Sequence, residues 1–382
     1  MRIVGTNHGG YANERNISRL PFGRHRVVRC NNLHRLTNYI HFKLRDRIHP
    51  MWGHLHWDGG IANYDLLHLF NGISLGRKPW LSTFETYLPR WAVYGEGRVE
   101  WGLSKLAGKS CKRLIALSEC AKEIQRQYLH EHPQYLEDIM SKVSVLHPSQ
   151  APLLSREEVI SKSNARSQRQ GVQMVFVGAY FFLKGGLETL RATEVLLRKG
   201  HPLHLHIVST MLYGDHASKT TKADLQEALK IIARHPKFIH HHDSLRNAAV
   251  LDLFRSADIG LLPTWADTYG YSALEAMAAG CPVISTDIRA LPEFNDGTTG
   301  WPIQMPKDDW GYARIVTGEQ RRAFSIQLQE SLISIFEQIL ANPQEIHEKA
   351  LSAYDRIVGR HSPEKAAAVL ENWYDEAMDP GR

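Results

Sequence analysis

The 382-residue chain has little cysteine: Cys30, Cys111, Cys120 and Cys281 are scattered, with no C-x-x-C pair among them. That spacing excludes a disulfide framework and a zinc knuckle, and the four thiols read as small apolar residues kept reduced. No apolar run approaches the roughly 18 residues of a membrane-spanning helix. The opening MRIVGTNHGGYANERN turns polar after three or four apolar residues, which leaves no h-region of a signal peptide, and the expected location is the cytoplasm. No G-x-G-x-x-G opens either half of the chain, which disfavours a nicotinamide-dependent enzyme. Fixed-period repeats and low-complexity tracts are also missing.

What is present is the composition of a folded protein, 43% apolar and 23% charged. Single cores stop growing near about 250–300 residues, so this length implies two domains. Charge is uneven. Residues 1–50 hold ten basic side chains (Arg2, Arg15, Arg19, Arg24, Arg26, Arg29, Arg35, Lys43, Arg45 and Arg47) against Glu14 and Asp46, a local excess of eight within a net +6. Such asymmetry suits an anionic membrane surface, an anionic substrate or nucleic acid, and equally a solvated basic face.

The hydrophobic pattern predicts two α/β layers in series. In the first, RIV, DLLHLF (65–70), PWLSTF (79–84), RLIALS (113–118) and KVSVLH (142–147) read as strands, several apolar throughout as in a sheet covered on both faces. Residues 119–140 carry a helical stripe interrupted at Pro133, and 155–170, poor in apolar residues, reads as the interdomain connection. A second alternation follows: strand 172–178, helix 187–200, strand 203–209, helix 222–235, strand KFIHHH, helix 248–257, strand DIGLLPT, helix YSALEAMAAG and strand PVIST. Ser362-Pro363, a capping residue followed by proline, opens a last helix. The expected domains are 1–154 and 171–360, with 361–382 packing back toward the first. Open parallel sheets bind ligands beyond the carboxyl ends of their strands, which places the chemistry in a central cleft between two doubly wound, Rossmann-like domains.

The most informative stretch is DIGLLPTWADTYGYSALEAMAAGCPVISTDIRALPE (258–293). A strand ends at Pro263, an acidic loop follows, and a helix begins next to Gly270, where free N–H groups form an anion site. Asp267 lies on the loop and Glu275 about one turn into the helix, two carboxylates suited to sugar diols beside that anion site. The segment resembles the signature of retaining glycosyltransferases of the two-domain GT-B architecture, family four: acid, seven residues, acid, then A-M-A-x-G-x-P-V-I. It departs in having Asp267 where that family most often has Glu.

The resemblance implies that Asp267 binds donor-sugar hydroxyls, that Glu275 contacts the nucleotide ribose, and that the amides of Tyr269, Gly270 and Tyr271 face the sugar and diphosphate. FVGAYFFLKGG (176–186) is similar to the family's V-G-R-x-x-x-x-K-G, with Lys184 at the phosphate-binding lysine and Ala179 at the arginine; Arg24 or Arg90 is the expected substitute cation. DIRALPEFNDGTTGWPI (287–303) resembles the family's P-E-x-x-x-D-G-x-T-G loop. Gly9-Gly10 fits the small-residue loop by which backbone approaches the diphosphate, and Glu85, after an N-domain strand, is a candidate for touching the sugar, or else a loop acid paired with Arg90.

His204 and His206, His240-His241-His242-Asp243, and His54 with His56 show no four-ligand zinc pattern, and there is no D-x-D, so neither metal nor other cofactor is expected. The resulting expectation is a metal-independent, retaining hexosyltransferase of polysaccharide biosynthesis. Its donor is a nucleoside diphosphate sugar, its acceptor a glycan or lipid-linked hydroxyl, with no role for nucleic acid. The basic N-terminal region would place it on the inner face of the cell membrane. A nucleotide-sugar epimerase and a non-catalytic sugar-nucleotide or glycan-binding protein are the alternatives.

Overall fold

The computed structural model describes residues 1–382 except 8–9, 46–49, 62, 92–94, 167–168, 380–382 and the side chains at 35 and 50. The chain divides into two compact units, Met1–Ser149 with His361–Arg382, and Gln150–Arg360.

The first unit contains β1 (Arg2–Thr6), β2 (His25–Arg29), β3 (Leu55–His56), β4 (Leu66–Phe70), β5 (Ile73–Ser74), β6 (Trp80–Phe84), β7 (Cys111–Ala116) and β8 (Val143–Val145). Six of them form one parallel sheet in the order β2-β1-β4-β6-β7-β8, and β3 pairs with β5 alone. The central strands read as unbroken apolar runs because both faces are covered. On one face Val4, Leu66, Leu81 and Ile115 pack against Ala366, Ala367, Leu370 and Tyr374 of the helix Pro363–Met378. Ser362 caps that helix by accepting from the Lys365 N–H, and proline occupies its first turn, where no N–H is needed. The one polar side chain inside β4, His68, is fully buried and satisfied, with Tyr374 Oη at 2.7 Å and Thr83 Oγ1 at 2.8 Å.

The second unit is a doubly wound sheet of β9 (Val172–Val177), β10 (Leu203–Val208), β11 (Ile239–His242), β12 (Ile259–Leu262), β13 (Val283–Thr286) and β14 (Gly300–Ile303), all parallel, in the order β11-β10-β9-β12-β13-β14. The chain winds outward one way from β9 and the other way from β12, so the two central neighbours flank the point where the strand order reverses.

Residues 155–170, expected to be a connection, instead contain the helix Arg156–Arg166. Its single buried apolar residue, Val159, packs on Ala350 and Tyr354, and its methyl groups fill the space that a Cβ on Gly280 would need. One buried apolar position leaves no hydrophobic period to read. Polar contacts do the rest: Lys162 Nζ donates to the carbonyls of Phe254 (3.1 Å) and Ala279 (2.8 Å). Among the described residues no helix is long and apolar enough to cross a membrane.

Candidate active site

The loops after β9 and β12 meet beyond the reversal point of the second sheet. They are joined by backbone: the Trp265 N–H and the Thr264 hydroxyl both donate to the Leu183 carbonyl, at 2.9 and 3.1 Å. This fixes Lys184 on one loop opposite Asp267 on the other. Lys184 Nζ donates to Asp267 Oδ2 at 2.6 Å and to the Ala266 carbonyl at 3.3 Å, and both side chains are mostly buried. Two glycines make the junction possible. Gly185 sits at φ +78°, with the Pro263 carbonyl oxygen 1.9 Å from where a Cβ would be, so only glycine lets these loops close. Gly270, at φ +88°, is pressed between Leu262 and Leu291.

Gly270 is the N-cap of the helix Tyr271–Ala278. The other oxygen of Asp267, Oδ1, accepts from the Tyr269 N–H at 3.2 Å and the Gly270 N–H at 3.1 Å. One carboxylate therefore bridges the lysine cation and the positive end of a helix, the two elements an anionic ligand would engage. Tyr269 is buried and stacked on Phe294 at 5.7 Å, which holds the turn. Glu275 lies on the same helix and is 8% exposed.

The structure thus brings Lys184, Asp267 and the amides of Tyr269 and Gly270 into direct contact and sets Tyr271 and Glu275 on the helix that follows. Ala179 is exposed, with its carbonyl accepting from Ser209 and Thr210. Neither expected substitute for the missing arginine is free. Arg24 donates to Glu371, to Asp375 at 2.6 Å and to Asn372 at 2.7 Å, all on the helix Pro363–Met378. Arg90 lies 3.7 Å from Glu85. A cation that the sequence reading passed over is Arg289, buried on the loop after β13 with φ +52° and its guanidinium 4.3 Å from the Tyr312 ring centroid. Its signal was its place directly after the apolar strand, within a segment already singled out.

Glu85 belongs to the first unit. It follows β6, accepts from Asn71 Nδ2 at 3.3 Å, and its N–H donates to Asn71 Oδ1 at 3.2 Å. Gly10 has open space around its Cα, and Gly9 lies outside the described residues. Part of the basic segment is engaged within its own unit: Arg19 and Arg29 pair with Glu14 at 2.6 and 2.5 Å, and Arg15 reaches Tyr11 Oη at 3.0 Å. Arg47 and the Arg35 side chain lie outside the described residues. No group of three or more His, Cys, Asp or Glu placed to hold a metal ion occurs among the described residues.

Two doubly wound domains, the second bearing an acid–lysine pair and a helix N-terminus at its reversal point, define the class: this is the fold of GT-B glycosyltransferases. Residues 171–316 match the family model Glycosyl transferases group 1. The chain is 26% identical over 318 residues to a D-inositol 3-phosphate glycosyltransferase of Streptomyces scabiei, covering 80% of this chain and 66% of that one. A second D-inositol 3-phosphate glycosyltransferase, from Streptomyces avermitilis, is 27% identical over 276 residues, 66% of this chain and 57% of its own. The chain therefore spans two thirds or less of these relatives' length. Among solved structures, a glycosyltransferase of Rickettsia africae superposes with a TM-score of 0.62 at 13% identity, covering 99% and 98% of the two chains. HepE of Anabaena in complex with UDP superposes at 0.61 and 11%, covering 98% and 100%.

Proposed function

We propose that the protein is a retaining, metal-independent glycosyltransferase of family four that moves a hexose from a nucleoside diphosphate sugar to an acceptor hydroxyl. The observation that carries this reading is the Lys184–Asp267 pair seated on the start of the helix Tyr271–Ala278. In this reading the donor diphosphate takes over Lys184 and the helix amides, the sugar hydroxyls take over Asp267, and Glu275 holds the ribose. Negative charge grows on the diphosphate as the glycosidic bond breaks, so a cation and fixed N–H dipoles aimed at that point lower the barrier. No second carboxylate stands beside Asp267 as a nucleophile in the described contacts, and front-face attack, with the leaving phosphate taking the acceptor proton, is the mechanism proposed. The complex of the structural neighbour HepE with UDP-glucose adds support for a nucleotide-sugar donor. The acceptor proposed is a glycan or lipid-linked hydroxyl in envelope polysaccharide synthesis, met on the inner face of the membrane.

A non-catalytic sugar-nucleotide-binding role is the second reading. It is favoured by Ala179, since Arg24 and Arg90 are both engaged by acids. A thermal-shift screen with UDP-, GDP- and ADP-sugars tests both readings. One donor at about 100 times its Kd should add about 2.7 kcal/mol of stability. Release of the nucleoside diphosphate when acceptor is added marks a transferase. A shift with no turnover marks a binding protein, and no shift with any donor refutes both.

A further inference from the structure

One surface of the first unit is built inside out. The helix His34–Arg45 carries Leu36, Ile40 and Leu44 on a single stripe, yet these are 65%, 50% and 77% exposed. Such a stripe ordinarily faces a core. The half-covered positions of this helix are polar instead, namely His34, Asn38 and His41, and His34 Nε2 and Asn38 Oδ1 are buried without a hydrogen-bond partner. Trp57, half exposed, and Ile61, at 86%, extend the apolar surface. The Leu33 N–H donates to the Trp57 carbonyl at 2.8 Å, and the Leu33 and Ile61 side chains both border Gly59. Contiguous apolar surface of this kind marks an interaction site.

Charge selects the partner. Between Glu14 and Asp46 there is no acid, against eight Lys and Arg. Upstream of the helix, Arg19 and Arg29 are held by Glu14 and Arg24 by Glu371 and Asp375, whereas Lys43 and Arg45 are exposed on the helix itself, Lys43 with its Nζ 5.7 Å from the Tyr39 ring centroid. The partner must offer hydrocarbon and negative charge together. Nucleic acid would leave the leucine stripe in water. A two-fold contact of this face with itself would bring two cationic segments together, with no acid between Glu14 and Asp46 on either to pair them.

We infer that the helix His34–Arg45, with Trp57 and Ile61, lies in the surface of an anionic lipid bilayer. Leu36, Ile40 and Leu44 enter the acyl boundary, Tyr39 and Trp57 sit at headgroup level, and Lys43 and Arg45 meet lipid phosphates. This deepens the membrane part of the reading above and rests on it only for the acceptor's location. It moves the attachment from a diffuse basic segment to one amphipathic helix.

The test is co-sedimentation of the full chain with vesicles of phosphatidylcholine alone or mixed with phosphatidylglycerol, at low and high salt. Binding to the mixed vesicles is expected, and the triple variant Leu36→Ser, Ile40→Ser, Leu44→Ser should lose roughly tenfold or more in partitioning. Lys43→Glu with Arg45→Glu should abolish the preference for phosphatidylglycerol. The replaced side chains face water, so both variants should keep the wild-type Tm. Equal partitioning of wild type and triple variant, or no wild-type binding to mixed vesicles at low salt, overturns the proposal. So does a wild-type dimer that the triple variant converts to monomer without vesicle binding by either. Donor-induced thermal shifts are measured on the same samples. Vesicle binding without any donor shift would support this inference while refuting the transferase reading.

Discussion

The two sheets reverse their strand order at equivalent places, β1 beside β4 and β9 beside β12, but the loops beyond are tied by different chemistry. In the first unit the ties are side-chain amides. Asn7 Nδ2 donates to the Phe70 carbonyl at 3.4 Å while its Oδ1 accepts from the Phe70 N–H at 3.1 Å, and Asn71 makes the same two-way exchange with Glu85. In the second unit the loops are joined through the Leu183 carbonyl and carry in addition a full charge pair, Lys184 with Asp267. An amide that both donates and accepts is satisfied where it stands and has no reason to exchange partners. A desolvated cation and anion each remain available to a ligand that brings the opposite charge or a set of hydroxyls. Equivalent positions in one kind of fold are thus closed by self-satisfied amides in one unit and carry an ion pair in the other.

The comparison breaks most sharply at Lys184. Lys184→Ala should lower kcat by roughly 10²-fold or more, because the charge it meets grows as the bond breaks. Steady-state kinetics in which only KM rises would contradict that role. Asp267 comes next. Asp267→Asn keeps an acceptor for the Tyr269 and Gly270 amides but loses the ion pair, and about 10- to 100-fold in kcat/KM should go with it. Asp267→Glu should also impair transfer, since the longer side chain crowds the sugar; full activity in both variants would make the acid structural only. Glu275→Ala should raise the donor KM by the loss of about 1–3 kcal/mol, read from the donor dependence of the thermal shift as well as from kinetics.

On the amide side, Asn71→Ala should leave the donor-induced shift intact but cost about 1–2 kcal/mol in urea unfolding. It removes hydrogen bonds to Glu85 and puts alanine at φ +52°. A lost donor shift there would erase the distinction between the two reversal points. A further effect is in pH. Burial pushes His68 down to about 3, and His56 and His206 down to about 4. In the unfolded chain these groups titrate near about 6.5, so below that pH the unfolded state binds more protons and stability falls with acidification toward the folded values. Tm should therefore decline from pH 7 to pH 4, and His68→Asn should flatten the decline. An unchanged slope would assign the loss to other groups.

Most of the second unit was legible because, from Val172 to Thr286, short apolar strands alternate with periodic helices, and because Asp267, Gly270 and Glu275 fall within twelve residues of one another. Lys184 was legible as part of a loop pattern, but its 2.6 Å contact with Asp267 joins residues 83 apart and needs the sheet order to bring them together. The readings that failed did so for different reasons. Arg24 looked available because its partners, Glu371 and Asp375, lie some 350 residues away in sequence. The helix Arg156–Arg166 buries too little apolar surface to show a period. The helix Gly318–Ala341 carries a clear one, with Phe324, Leu328, Leu332 and Phe336 buried at spacings of four, and was passed over only because it follows the informative segment. The orientation of the helix His34–Arg45 was beyond any reading of periodicity, which reports a stripe and not the side it faces.

The helix Pro363–Met378 has a consequence for how the protein is made. It completes the layer over Val4, Leu66, Leu81 and Ile115, but it leaves the ribosome only after the whole of Gln150–Arg360 has been synthesised. At about 5–20 residues per second, the first sheet waits on the order of ten seconds or more for its own cover, while the later unit can already close around a contiguous stretch of chain. The usual order of birth is reversed. The unit translated first therefore stays open along one apolar face, exposed to chaperones and proteases, until residues 363–378 have been made.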